Sequence, residues 1–146
     1  MRSYYIMQEV HWMKIGAVTI GQAPRVDVTV DIMDIFDGKA ELIQAGGLDG
    51  LTKEDIAEFA PGEGDYVLVS RLNDGSSVTF AERHILPRLQ EAMNKMEEEG
   101  CRLIMMFCTG SFPETLTTKS IPVIYPCEVL DRLVPLMSKK SSIICM

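Results

Sequence analysis

Metal ligands, basic charge and long apolar runs are all in short supply in this chain. Its 146 residues include only two histidines and four cysteines. The cysteines, Cys101, Cys108, Cys127 and Cys145, stand seven, nineteen and eighteen residues apart and form no C-x-x-C pair. That spacing supports neither a zinc site nor a disulfide framework, so no metal is expected. Lysine and arginine number 14 against 21 acids, a net charge of −7. No diffuse basic surface is therefore offered to phosphates, and neither nucleic acid nor a membrane surface is an expected partner. The strongest apolar stretch, Leu103 to Phe107, is broken at once by Cys108-Thr109-Gly110, far short of the roughly 18 residues that span a bilayer. The N-terminal stretch carries Glu9 and His11 and has no uninterrupted apolar core ending in small residues. A secretory signal is thus not expected, and a cytoplasmic protein is.

What the chain does have is the alternation of an α/β domain. Hydrophobic residues make up 47% and charged ones 24%, as in an ordinary globular domain of this length. Lys14 to Ile20 is a β-branched, near-continuous apolar run, the pattern of a strand buried on both faces. Pro24 then suits a first helical position, and Val26, Val30, Met33 and Phe36 recur at helical spacing, which predicts an inward stripe ended by Gly38. Ala40 to Ala45 reads as a second strand. Thr52 with Asp55 reads as a capping box that opens a short helix, with Ile56 and Phe59 facing the core.

Tyr66 to Ser70 is a third strand. Asn73-Asp74-Gly75 predicts a hairpin turn, with Ser77 to Phe80 returning as a brief antiparallel strand. Between Ala81 and Glu99 the residues Ile85, Leu89, Met93 and Met96 form one buried helical stripe, and Pro87 puts the regular helix start nearer Leu86. Arg102 to Phe107 and Ile121 to Tyr125 follow as strands. Glu128 to Ser138 is a helix with Val129, Leu130, Leu133, Val134 and Met137 on one stripe, and Ser142 to Met146 resembles a strand beginning. The whole predicts a mostly parallel open sheet with helices on both faces. Right-handed crossovers would then gather the working loops at the strand carboxyl ends.

Those loops are Gly21 to Arg25, Gly46-Gly47, Arg71 to Asp74 and Cys108 to Ser111. Cys108 leaves a buried strand for a loop of Thr109, Gly110 and Ser111, where amides and hydroxyls suit a carboxylate and favour an accessible thiolate, a nucleophile or proton-transfer base. A small core cysteine is the plainer alternative. Cys101, Cys127 and Cys145 read as packing residues. A phosphatase loop of C-x₅-R type is excluded by Glu114, six residues after Cys108. A nucleophile elbow is disfavoured by Met106, where glycine is needed, and by the want of a histidine base. The loop after the first strand lacks G-x-G-x-x-G, which disfavours a dinucleotide. Arg25 could clamp a carboxylate or simply pair with Asp27. Asn73 could touch a ligand or serve the turn alone.

Together Lys14 to Arg25 (KIGAVTIGQAPR), Ala60 to Asp65 (APGEGD), Leu72 to Gly75 (LNDG) and Phe107 to Phe112 (FCTGSF) resemble the N-terminal portion of the AroM family. The resemblance runs from about Met13 to the end. That family, of unsettled activity, is itself similar to the aspartate/glutamate racemase superfamily, whose enzymes have two like α/β halves with the active site between them. The resemblance implies that Cys108 is the first of two proton-transfer cysteines, with the second in another half. It also implies that Thr19, Gly21, Gln22, Thr109, Gly110 and Ser111 hold the substrate; Arg25 and Asn73 stay candidates on the reading of their own loops.

Residues 1–12 are then expected to be a disordered extension, 13–140 a single α/β domain, and 141–146 the start of a truncated second half. The function so implied is a racemase- or isomerase-like domain acting on a small carboxylic acid by cofactor-independent cysteine proton transfer. The alternative is a non-catalytic small-molecule binding or regulatory domain of the same fold. A homodimer through the surface left by the missing half is the expected assembly.

Overall fold

The apolar run near the N-terminus becomes the spine of a four-stranded parallel sheet. In the computed structural model, which describes residues 12–113 and 115–137, β1 (Met13–Thr19) is buried from Ile15 onward. It pairs in parallel with β2 (Ala40–Gly46) on one side and β5 (Leu103–Met106) on the other, and β6 (Val123–Ile124) lies outside β5. The order is therefore β2-β1-β5-β6. A strand flanked on both edges and both faces has no water to satisfy a polar side chain, which is why β1 is apolar throughout its middle. The expected α/β fold with a parallel sheet flanked by helices is the one observed. Among the described residues no helix is long and apolar enough to cross a membrane.

The sheet register sorts its side chains. Gly16 pairs with Ile104 and Ile43, and Val18 with Met106 and Ala45, so these share one face. Over that face lies α3 (Glu82–Glu98), whose Ile85, Leu89, Met93 and Met96 are all buried, as their spacing predicts. Gly16 permits this approach: a Cβ there would lie 2.6 Å from the Met96 sulfur. The helix begins at Glu82 rather than near Leu86. Pro87 removes one backbone donor, and the four buried side chains offset that loss.

Two helices depart from their predicted stripes. In α1 (Val26–Phe36), Val26 and Val30 are 68% and 65% exposed and Met33 is exposed too, while Thr29 is buried and Val28, Ile32 and Phe36 are half-buried. The segment VDVTVDIMDIF carries two apolar stripes, and periodicity cannot choose between them. Nor is Pro24 the first helical residue. The Ala23–Pro24 peptide is cis and Arg25 is the N-cap, its N–H donating to Gln44 Oε1 at 2.8 Å. In α4 (Pro126–Met137), Leu130 and Val134 are half-buried, while Val129, Leu133 and Met137 are exposed.

The remaining elements frame the site. The Thr52–Asp55 capping box opens α2 (Lys53–Ala57), with Asp55 N–H donating to Thr52 Oγ1 at 3.1 Å and Thr52 N–H to Asp55 Oδ2 at 2.8 Å. Ile56 is buried, and Phe59 stacks on His84 with centroids 4.9 Å apart. The expected hairpin is formed by β3 (Val67–Arg71) and β4 (Ser77–Ala81), as a separate antiparallel sheet. Trp12 is half-exposed with its ring over Gly38. The expectations for residues 1–11 and for the strand at Ser142 to Met146, Cys145 included, lie outside the described residues.

Candidate functional site

Parallel strands deliver their following loops to one edge, and here four loops converge there. Phe107 N–H donates to Val18 O at 2.7 Å, Gly47 N–H to Thr19 O at 2.9 Å and Leu48 N–H to Gly21 O at 3.0 Å, which knits the segments after β5, β2 and β1 together. Asp49, which sequence reasoning missed, is the staple. Its carboxylate accepts from Ala23 N–H at 2.8 Å and from Gly46 N–H at 2.7 Å. From α3, Arg88 donates to the carbonyls of Gly47 and, at 2.8 Å, Asp49. Gly21 and Gly46 make the convergence possible. A Cβ on Gly21 would stand 2.2 Å from Ser70 Oγ, and one on Gly46 would stand 2.3 Å from Gly21 O.

The hairpin is latched to the same edge by two of the sequence-predicted residues. Asn73 N–H donates to Gln22 Oε1 at 2.9 Å, and Asn73 Nδ2 donates to Ala23 O at 3.3 Å. Gln22 and Asn73 thus spend these groups on joining loop to hairpin. Thr19 is buried. Its Oγ1 accepts from Gly21 N–H at 3.3 Å and from Arg25 Nη1 at 3.5 Å. Both readings of Arg25 hold at once: it faces the site, and it forks onto Asp27 through Nε–Oδ1 at 2.8 Å and Nη2–Oδ2 at 2.7 Å. The hydrogen bonds of this pair raise Arg25 above its ordinary value and hold Asp27 below the usual carboxylate range.

Cys108, Thr109 and Gly110 line a cavity of about 330 Å³ together with Arg25, Ser70 and Arg71. A second hollow of about 170 Å³ abuts it, and Arg25, Arg71 and Asn73 are in its wall. Thr19, Gly21, Gln22 and Ser111 are not among the residues that line either hollow, and Ser111 is exposed. Ser70 and Arg71 are polar lining residues outside the site chosen from sequence, although Arg71 opens one of the working loops named there. The alternation of β3, with Leu68 and Ser70 buried between exposed Val67, Val69 and Arg71, is the signal that could have pointed to them.

The expected thiolate is not what this environment favours. Burial pushes the Cys108 thiol up to about 12, against the opposing pull of the Ile20 N–H and of the Arg25 charge. Being half-buried among Phe107, Leu68 and Ile20 costs the anion more solvation than one amide and one already paired guanidinium return. Cys127, set aside by sequence as a packing residue, bears electrostatically on Cys108. It lies just past Tyr125, whose ring meets Phe112 of the Cys108 loop at 6.2 Å. Cys101 is buried as expected, and burial raises it as well. No group of three His, Cys, Asp or Glu side chains converges to hold a metal among the described residues.

Fold and site define a parallel α/β domain that presents a thiol on a strand-end loop of an arginine-lined cavity. The chain belongs to the AroM protein family, whose family model matches residues 15–146. No curated protein and no solved structure matches it.

Proposed function

We propose that the strand-end cavity holds a small carboxylic acid and that Cys108 transfers a proton at its α-carbon, in racemase- or isomerase-like chemistry that uses no cofactor. The observation that carries this reading is the meeting of Cys108, Arg25, Arg71, Thr109 and Gly110 around a single cavity of about 330 Å³. Guanidinium and amide donors match a carboxylate, and that match orients the α-carbon toward the sulfur. Similarity to the racemase superfamily supplies the same role for a strand-end cysteine.

With its thiol pushed up to about 12, Cys108 reacts through its minor thiolate form, whose proton has passed to solvent. That thiolate takes the α-proton, so the C–H bond breaks, an S–H bond forms and the C–H electron pair is left on the α-carbon beside the carboxylate. Once the thiol proton has exchanged with solvent, the S–H bond breaks and the α-C–H bond re-forms on the same face, which returns the thiolate. One thiol serves one face of the substrate. In D₂O with amino acids, hydroxy acids or dicarboxylates, α-deuterium incorporation without racemisation is expected, and it should vanish in Cys108→Ser. Incorporation unchanged by that substitution would remove Cys108 from the chemistry. The raised thiol also favours a second reading, a binding or regulatory domain that uses the same cavity without reaction; ligand binding with no exchange in D₂O would select it. A homodimer is proposed with either reading, since Val26, Val30 and Met33 are exposed on the helix that starts at Arg25.

A further inference from the structure

We infer that Arg71, rather than Arg25, is the specificity-determining cation that takes the ligand's carboxylate; this rests on the cavity being a carboxylate site. Both arginines line the cavity and the adjoining hollow, but their charges are not equally available. Arg25 is forked onto Asp27 at 2.7 and 2.8 Å and reaches back to Thr19 Oγ1. Three of its nitrogens are engaged and its charge is matched by a carboxylate one helical turn-start away, so an incoming anion would compete with Asp27 for it. Among the described residues Arg71 has no such partner. The ion pairs among the described residues join Arg25 to Asp27, Lys39 to Asp37, Lys53 to Asp74, Arg83 to Asp65 and Lys95 to Glu99, and none involves Arg71.

The position of Arg71 is built rather than incidental. It ends β3, paired with Ser77 across the hairpin. The turn beyond it is closed by Leu72 N–H donating to Ser76 O at 2.8 Å, and is tied to the Gly21–Arg25 loop through Asn73. The hairpin therefore holds at the Cys108 cavity an arginine with no ion-pair partner among the described residues, beside the paired Arg25. A carboxylate seated on Arg71 gains a charge-assisted contact that it need not win from a protein acid. Because this cation is solvent-exposed, its pull is weakened by salt.

Calorimetric titration of the full chain with lactate, and with lactamide as its uncharged counterpart, tests this. The wild type is expected to bind lactate in preference to lactamide. Arg71→Gln should weaken lactate binding about tenfold and leave lactamide unchanged, whereas Arg71→Lys, which keeps the charge, should weaken it about threefold. Asp27→Asn, which frees Arg25, should recover part of the loss in the Arg71→Gln background, a gain that a merely misfolded hairpin would not show. If the wild type binds lactate and Arg71→Gln binds it equally well, Arg71 is not the anchor, though the cavity remains a carboxylate site. If the wild type prefers lactamide or binds neither, the carboxylate reading of the cavity fails, and the role of Arg71 with it.

Discussion

At Cys108 the structure reverses the charge state that a loop of small polar residues suggests. A thiol held up to about 12 makes folding pH-dependent with a definite sign. Below the ordinary thiol value, about 9, folded and unfolded chains both keep the proton. Above it the unfolded chain releases the proton while the folded chain retains it, so the unfolded state binds fewer protons and stability falls as pH rises toward about 12. Urea unfolding between about pH 8 and about pH 10 should therefore show the wild type losing about 1 kcal/mol more than Cys108→Ser, after allowance for the partial exposure of the site. Equal slopes in the two proteins would mean that the thiol is as well solvated folded as unfolded. Thr19, Gln22 and Asn73 carry a different lesson. Each reaches the working edge, and each spends hydrogen bonds on holding the loops in place.

Among the elements, the long helix and the first helix differ in what their apolar residues accomplish. Leu89 of α3 is fully buried over the sheet, and Leu89→Ala should cost roughly 2 to 5 kcal/mol, the transfer loss plus the cavity left behind. Val30 of α1, equally apolar and on the stripe expected from sequence to face inward, is 65% exposed. Val30→Ala should change stability by less than about 0.5 kcal/mol, while Ile32→Ala, on the half-buried side, should cost more. Chemical denaturation of the three variants checks the assignment; a Val30→Ala loss as large as that of Leu89→Ala would place the buried stripe of α1 on Val26, Val30 and Met33.

Over the molecule as a whole, the two faces of the sheet are covered unequally. The α3 face holds the main buried cluster, with Val18, Ile104 and Met106 in it. Elsewhere α1 presents Val26, Val30 and Met33, and α4 presents Val129, Leu133 and Leu136, as exposed apolar lines at helical spacing. Such lines are the usual mark of a surface that is covered in the working assembly. Sedimentation velocity is expected to show a concentration-dependent shift from monomer to dimer, and Val30→Asp with Leu133→Asp should abolish it. A monomer at every concentration in the wild type would remove the homodimer from the proposal. Racemisation that rises with protein concentration would show a second copy supplying the other face of the substrate.

Local chemistry made much of this molecule legible before any fold was known. Apolar runs of strand length, the four-four-three spacing of Ile85, Leu89, Met93 and Met96, the Thr52–Asp55 box and the Asp74-Gly75 turn each depend on neighbours within a few residues, so the chain alone specifies them. The placement of Cys108 at a strand end follows from the same patterns. What the chain alone left open depends on partners far away in sequence. Which stripe of α1 faces inward turns on contacts such as that of Arg25 with Gln44, 19 residues on. The state of the Cys108 thiol turns on burial by segments from three strands. The stapling by Asp49 and Arg88, and the meeting of Arg71 with the paired charge of Arg25, exist only once β1, β2, β3 and β5 bring their ends to one edge. Solvation and ion pairing are properties of that assembled space, and no short window of sequence contains them.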